Sequence, residues 1–127
     1  MMRRWGPSAI LLACAIVGGA ATIPVGILFL VAAVLVSPLV FPRPISDAVA
    51  RERSAADGRP IVYWRPGCTY CLRLRLATLG RRFHWVDIWH DPAGAATVRA
   101  VTGGNETVPT VVIAGVGHVN PHPRTLP

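Results

Sequence analysis

The sequence predicts an α/β sandwich preceded by an α-helical transmembrane hairpin. Three observations carry that expectation. Ser8 to Phe41 holds no charged side chain. Arginines stand at both ends of that apolar run and nowhere within it. Beyond Pro42, short β-branched runs alternate with helical patterns, as in a sheet joined by helical crossovers.

The apolar run comes first. As one helix it would be about 50 Å long, against a hydrocarbon core of about 30 Å. Its middle holds Gly18, Gly19 and Thr22-Ile23-Pro24, and proline disfavours helix at the residue before it and removes a backbone donor. Two short spans follow, about 6–21 and 25–41, joined by a tight turn. Arg3 and Arg4 flank one end, and Arg43, Arg51 and Arg53 the other. A hairpin leaves both groups on the cytoplasmic side. The expected location is therefore the membrane, with the rest of the chain cytoplasmic and membrane lipid as a partner. A single tilted anchor carrying an external domain is the alternative. Cys14, inside the run, reads as a small packing residue.

Phe41-Pro42-Arg43-Pro44 forms a stiff exit. Ser46 and Asp47 supply an N-cap and a first-turn acid for a helix over 47–56, which Gly58 and Pro60 end. Ile61-Val62-Tyr63-Trp64 reads as a buried strand broken by Pro66-Gly67. From Thr69 the pattern turns helical, with Leu72, Leu76 and Leu79 as the apolar stripe. Trp85 to Trp89 is the second strand; the two tryptophans share a face, and Asp87 is assigned to the other. Asp91 caps a second crossover helix with Pro92 at its first position, closed by Gly103-Gly104. Thr110 to Ile113 is a third strand, and 117–119 completes a hairpin through Ala114-Gly115. The first two strands flank a helical crossover and are expected to be parallel. The expected organisation is 1–41 as the membrane segment, 42–59 as linker and short helix, and 60–127 as the α/β domain.

Composition excludes some functions. The net charge is +7 and every cationic side chain other than histidine is arginine. No basic stripe interleaves with aromatics and no zinc-finger or RNP-like pattern occurs, so nucleic acid is not an expected partner. Three cysteines do not make a disulfide framework.

Cys68 and Cys71 stand at C-x-x-C spacing in WRPGCTYC. A strand, a break and a cysteine opening a helix form a mechanistic arrangement. The first sulfur faces unpaired N–H groups and the positive end of the helix dipole, which stabilise a thiolate. Arg65 and Arg73 add positive potential. Cys71, one turn later, is within disulfide reach but deeper. Cys68 is thus the expected nucleophile and Cys71 the resolving thiol. Zinc would need four ligands, and only His84 and His90 are available, at opposite ends of the second strand. Copper-carrying loops often place a methionine where Pro66 and Gly67 stand. No metal is expected. Thr107-Val108-Pro109 precedes the third strand. With a cis peptide it would turn the Val108 backbone outward toward an extended, peptide-like thiol; the alternative is an ordinary proline at a strand start.

WRPGCTYC, followed by GGNETVPTVVI and then VNP, resembles the glutaredoxin family of the thioredoxin fold. It resembles most the mycoredoxin-type actinobacterial branch, whose GGN-x-TVPT segment it shares. The likeness runs from about Pro60 to Pro121. It implies a thioredoxin-like three-layer sandwich and a thiol–disulfide oxidoreductase acting on mixed disulfides between proteins and a low-molecular-weight thiol, mycothiol- or glutathione-like. It suggests Cys68 as nucleophile and Cys71 as resolving residue. Arg65, Tyr70, Thr107, Val108 and Pro109 would surround the small thiol, and Pro109 would be cis. The partners implied are that thiol, as co-substrate, and S-thiolated proteins, with no other cofactor. Three departures stand out. Thr69 follows the first cysteine where proline or glycine is usual. The usual C-terminal helix is missing or vestigial, since Pro121, Pro123 and Pro127 exclude a long one. The apolar hairpin is an addition. A non-enzymatic thioredoxin-fold membrane adaptor or metal-binding module, and a cell-envelope disulfide-handling enzyme, are the rival readings.

Overall fold

The computed structural model describes residues 2–35, 37 and 39–127. The chain divides into two compact units, Met1–Pro42 and Arg43–Pro127.

The first unit is a helical hairpin of α1 (Met2–Ala21) and α2 (Ile23–Leu35). Thr22 alone separates them, and its N–H donates to Gly18 O at 2.8 Å. A side chain at Gly18 would meet Val25 Cγ1 at 3.0 Å, so glycine there permits the close approach of the helices. Pro24 falls in the first turn of α2, where a missing N–H costs little. The hairpin departs from the expected spans. Its second helix ends at Leu35 rather than near Phe41, and positions 36 and 38 lie outside the described residues. Thirteen residues make a helix of only about 20 Å, short of the roughly 30 Å of a hydrocarbon core. The longer α1 opens with Met2, Arg3, Arg4, Trp5, Gly6 and Pro7 rather than with an aliphatic run. Among the described residues no helix is long and apolar enough to cross a membrane. That finding overturns the transmembrane hairpin and the membrane location. The cytoplasmic placement of the remaining chain falls with them, since it rests on the same spans.

The second unit contains α3 (Asp47–Asp57), β1 (Ile61–Trp64), α4 (Thr69–Ala77), β2 (His84–Asp87), α5 (Pro92–Thr102), β3 (Thr110–Ile113) and β4 (Val116–Val119), then a 3₁₀ turn, Pro123–Thr125. The strands form one mixed sheet in the order β2-β1-β3-β4. β1 and β2 are parallel, as the crossover requires. β3 runs antiparallel to both β1 and β4. The β3–β4 turn holds Ala114 at φ 49° and Gly115 at φ 81°, the left-handed pair that a two-residue hairpin demands.

Register assigns the layers. Tyr63 pairs with Val86 and with Thr110, so the three share a face. Tyr63 OH reaches Asp47 of α3 at 2.6 Å, and Gly94 of α5 sits against Val86 and Tyr63. α3 and α5 therefore cover this face. Trp85 lies on the other, where the Arg75 guanidinium of α4 stands 5.6 Å from its ring centroid. The result is an α/β/α sandwich. Val62, Val86, Val98 and Val111 are fully buried, each worth about 1.5–3 kcal/mol of transfer free energy.

One polar network crosses the core. The Asp47 carboxylate accepts hydrogen bonds from Tyr63 OH at 2.6 Å, Arg51 Nε at 2.7 Å and Thr97 Oγ1 at 3.3 Å. The Asp47 N–H donates to Asp91, the N-cap of α5. One side chain thus ties α3, β1 and α5 together, and its burial is tolerated because its oxygens are satisfied.

Two expectations about faces change. In α4 the buried residues are Cys71 and Leu74, joined by the C-cap Thr78, while Leu76 and, just beyond the helix, Leu79 are 45% and 59% exposed. Cys68 caps the helix and sets its phase, so the positions three, six and ten residues on turn inward. β2 stops at Asp87, whose Oδ1 accepts from Trp89 N–H at 3.0 Å. Trp85 is 3% exposed and Trp89 62%, so they share no face. Asp87 instead shares the side of Trp85, because alternate strand residues point the same way.

Candidate functional site

The site begins where β1 ends. Trp64 closes the buried strand, and Gly67, at φ 79°, lets the chain turn sharply into α4. Cys68 is the N-cap residue, in extended conformation (φ −84°, ψ 113°). Its sulfur occupies the position an N-cap side-chain oxygen takes elsewhere and accepts from Cys71 N–H at 3.2 Å. The Cys68 thiol also donates to Val108 O at 3.5 Å. Both cysteines are free thiols, Cys68 half-buried and Cys71 buried. Burial pushes the Cys71 thiol pKa up, and the neighbouring Cys68 sulfur adds to the shift. A hydrogen bond with the Arg65 backbone and the Arg65 charge oppose it.

The opposite wall is the turn before β3. The Val108–Pro109 peptide bond is cis, and Val108 and Pro109 are buried. Thr107 is exposed, and its carbonyl accepts from Thr110 Oγ1 at 2.8 Å. Pro109 O in turn accepts from Asn120 N–H at 2.7 Å. The C-terminal loop is thereby anchored to the cis-proline turn. Tyr70, 56% exposed, lines a cleft of about 100 Å³ with Arg73, Asn120 and His122.

The structure thus brings Cys68, Cys71, Arg65, Val108 and Pro109 to one place, with Thr107 beside them. Tyr70 opens onto the Asn120 side instead. Sequence reasoning missed the part of Asn120. Its φ of 44° is one that asparagine tolerates, and the Asn-Pro dipeptide was the available signal. Asp87 pairs with His90 Nδ1 at 2.6 Å, so its carboxylate is occupied at the end of its own strand. His84 turns to Asp57 Oδ2, 3.0 Å away. The two histidines are therefore engaged separately. Among the described residues no group of three or more His, Cys, Asp or Glu side chains gathers as a metal site would require.

A half-buried cysteine at a helix N-cap, a buried partner one turn on, and the Val108 carbonyl that precedes cis-Pro109 against the first sulfur make a dithiol site open on one side. Residues 61–119, from β1 through β4, match the glutaredoxin family model. The match supports the glutaredoxin family. Two curated Mycobacterium tuberculosis proteins are similar over part of their length: "Putative glutaredoxin Rv3198A" of strain H37Rv and "Putative glutaredoxin MT3292" of strain CDC 1551. Each is 47% identical over 55 residues, which is 42% of this chain and 66% of the relative. The chain thus matches just under two thirds of the length of these relatives. The glutaredoxin match supports a thiol–disulfide oxidoreductase-like function for this segment.

Proposed function

We propose that the protein reduces mixed disulfides between proteins and a low-molecular-weight thiol of the mycothiol or glutathione kind. The observation that carries the proposal is the Cys68 sulfur at the α4 N-cap, held between the Cys71 N–H and the Val108 carbonyl.

Cys68 loses its proton and attacks the sulfur of the small thiol. A Cys68–small-thiol disulfide forms, the original S–S bond breaks, and the protein sulfur leaves as a thiolate that takes up a proton. A second small thiol, as its thiolate, then attacks that adduct. It releases Cys68 as a thiolate and departs as the oxidised dimer of the small thiol. In the competing route Cys71 attacks Cys68 and expels the small thiol. Burial holds Cys71 protonated, and the neutral thiol is the poorer nucleophile. The first route is therefore favoured, with Cys71 in reserve. Arg65, Thr107, Val108 and Pro109 surround the small thiol, with Tyr70 at its Asn120 edge and the Val108 backbone pairing to its peptide-like chain. The small thiol is a co-substrate, and the chemistry needs no metal or organic prosthetic group.

Trapping tests this reading. Cys71→Ser protein is incubated with a mixed disulfide and weighed by mass spectrometry. A single adduct on Cys68 with the mass of the small thiol is expected. No adduct on Cys68, or unchanged turnover in Cys68→Ser, overturns the proposal.

A further inference from the structure

A second cleft lies next to the one that Tyr70 lines. Arg73, Ala77, Arg81, His122, Pro123 and Arg124 enclose about 310 Å³. Arg73, His122 and Pro123 belong to both clefts, so the two form one trough between α4 and the C-terminal turn. Its charge is one-sided. Three arginines line the trough and no carboxylate does. Among the described residues the salt bridges of arginine involve Arg51, Arg59 and Arg99, none of them in the trough. Arg81 donates to Pro123 O and Leu126 O, each at 3.1 Å. These are neutral carbonyls, which fix the guanidinium in the wall and leave its charge uncancelled.

The trough reaches toward the cysteine pair: Asn120 on its wall bonds Pro109 O, next to Val108, whose carbonyl meets the Cys68 sulfur. Ala77 is nine residues beyond Cys68 on α4, about 13 Å along the helix axis. An extended peptide needs about four residues to cover that length, and Arg81 lies further still. A low-molecular-weight thiol seated at Cys68 is too short to fill it. We infer that the trough holds an acidic segment of the protein substrate, adjoining the substrate's disulfide cysteine. The inference rests on the disulfide-exchange reading only for which end of the segment carries sulfur.

Binding tests it without catalysis. A fluorescein-labelled octapeptide containing serine in place of cysteine, followed by four aspartates or glutamates, is titrated with the full chain by anisotropy. The comparison peptide carries asparagine and glutamine instead. At about 20 mM salt the acidic peptide is expected to bind roughly tenfold more tightly, with the preference fading at about 500 mM. The double variant Arg73→Gln/Arg124→Gln is expected to lose most of that preference. Arg53→Gln, in α3 on the other face of the sheet, is expected to keep it. Equal binding of the two peptides, or an unaffected double variant, overturns the inference. So does a single-stranded oligonucleotide of equal charge that binds as tightly with the same arginine dependence. Exchange with the cysteine-containing peptide as its glutathione mixed disulfide separates the two claims. Acidic preference in binding without exchange leaves the trough standing and removes the redox reading; exchange without acidic preference does the reverse.

Discussion

The N–H of Cys71 donates to the Cys68 sulfur across 3.2 Å, while the Cys71 side chain is itself sealed from solvent. The two thiols of one C-x-x-C pair therefore have opposite chemistry. Iodoacetamide is expected to alkylate Cys68 in the folded protein and Cys71 only after denaturation, read by peptide mass spectrometry in a Cys14→Ser background. Cys68→Ser is expected to leave below about 1% of turnover on a mixed disulfide. Cys71→Ser is expected to retain roughly half or more. Equal loss in both variants would mean that the dithiol route carries the reaction.

Tyr63 couples stability to alkaline pH. Burial, with the hydrogen bond to Asp47 second, raises its phenol pKa in the fold. A group raised in the folded state contributes stability in full below its unfolded value, about 10, and loses it as pH rises beyond. Unfolding free energy is expected to fall above about pH 10. Tyr63→Phe should flatten that limb and cost about 1–3 kcal/mol at neutral pH, because buried Asp47 loses a donor. Urea melts across pH check both.

Asp57 acts at the other extreme. The Arg59 N–H, with smaller contributions from His84 and the Arg59 charge, holds its carboxyl below the ordinary value, against desolvation, which raises it. A lowered pKa contributes stability above the unfolded value, lost as pH falls through the folded one. Asp57→Asn is expected to reduce the steepness of acid unfolding between about pH 5 and pH 2. Thermal melts over that range read the difference, and an unchanged acid limb would refute it.

Gly94 decides how deeply α5 settles on the sheet. A methyl at this position would meet Val86 Cγ1 at 2.7 Å and the Tyr63 ring at 3.6 Å. Alanine favours helix by about 1 kcal/mol, but overpacking costs about 1–3 kcal/mol. Gly94→Ala is expected to destabilise the fold in urea melts. Pairing it with Val86→Ala should recover part of the loss.

Local chemistry was legible and long-range contact was not. Asp91-Pro92, Gly58 and Ala114-Gly115 announce their caps and turn because each acts within a few residues. The C-x-x-C at a helix start and the proline before β3 locate the two walls of the site. The phase of α4 is hidden from periodicity, since leucines at spacings of three and four satisfy a pattern that the cap at Cys68 then rotates. Trp89 reads as strand because nothing in its type reveals that Asp87 turns the backbone there. Tyr63 to Asp47, Asn120 to Pro109 and Cys68 to Val108 join segments 11 to 40 residues apart. No local pattern encodes such pairs. The apolar run misled for a related reason: hydropathy gives composition, whereas helix length depends on where the backbone breaks.

The bond from the Cys68 thiol to the Val108 carbonyl links two events in the proposed reaction. Ionising the sulfur removes the only proton it can share, so the carbonyl opposite is vacated at the moment the attacking pair of electrons is freed. A carbonyl has two lone pairs, so an arriving amide can pair beside the resting thiol and has the acceptor to itself once the proton has gone.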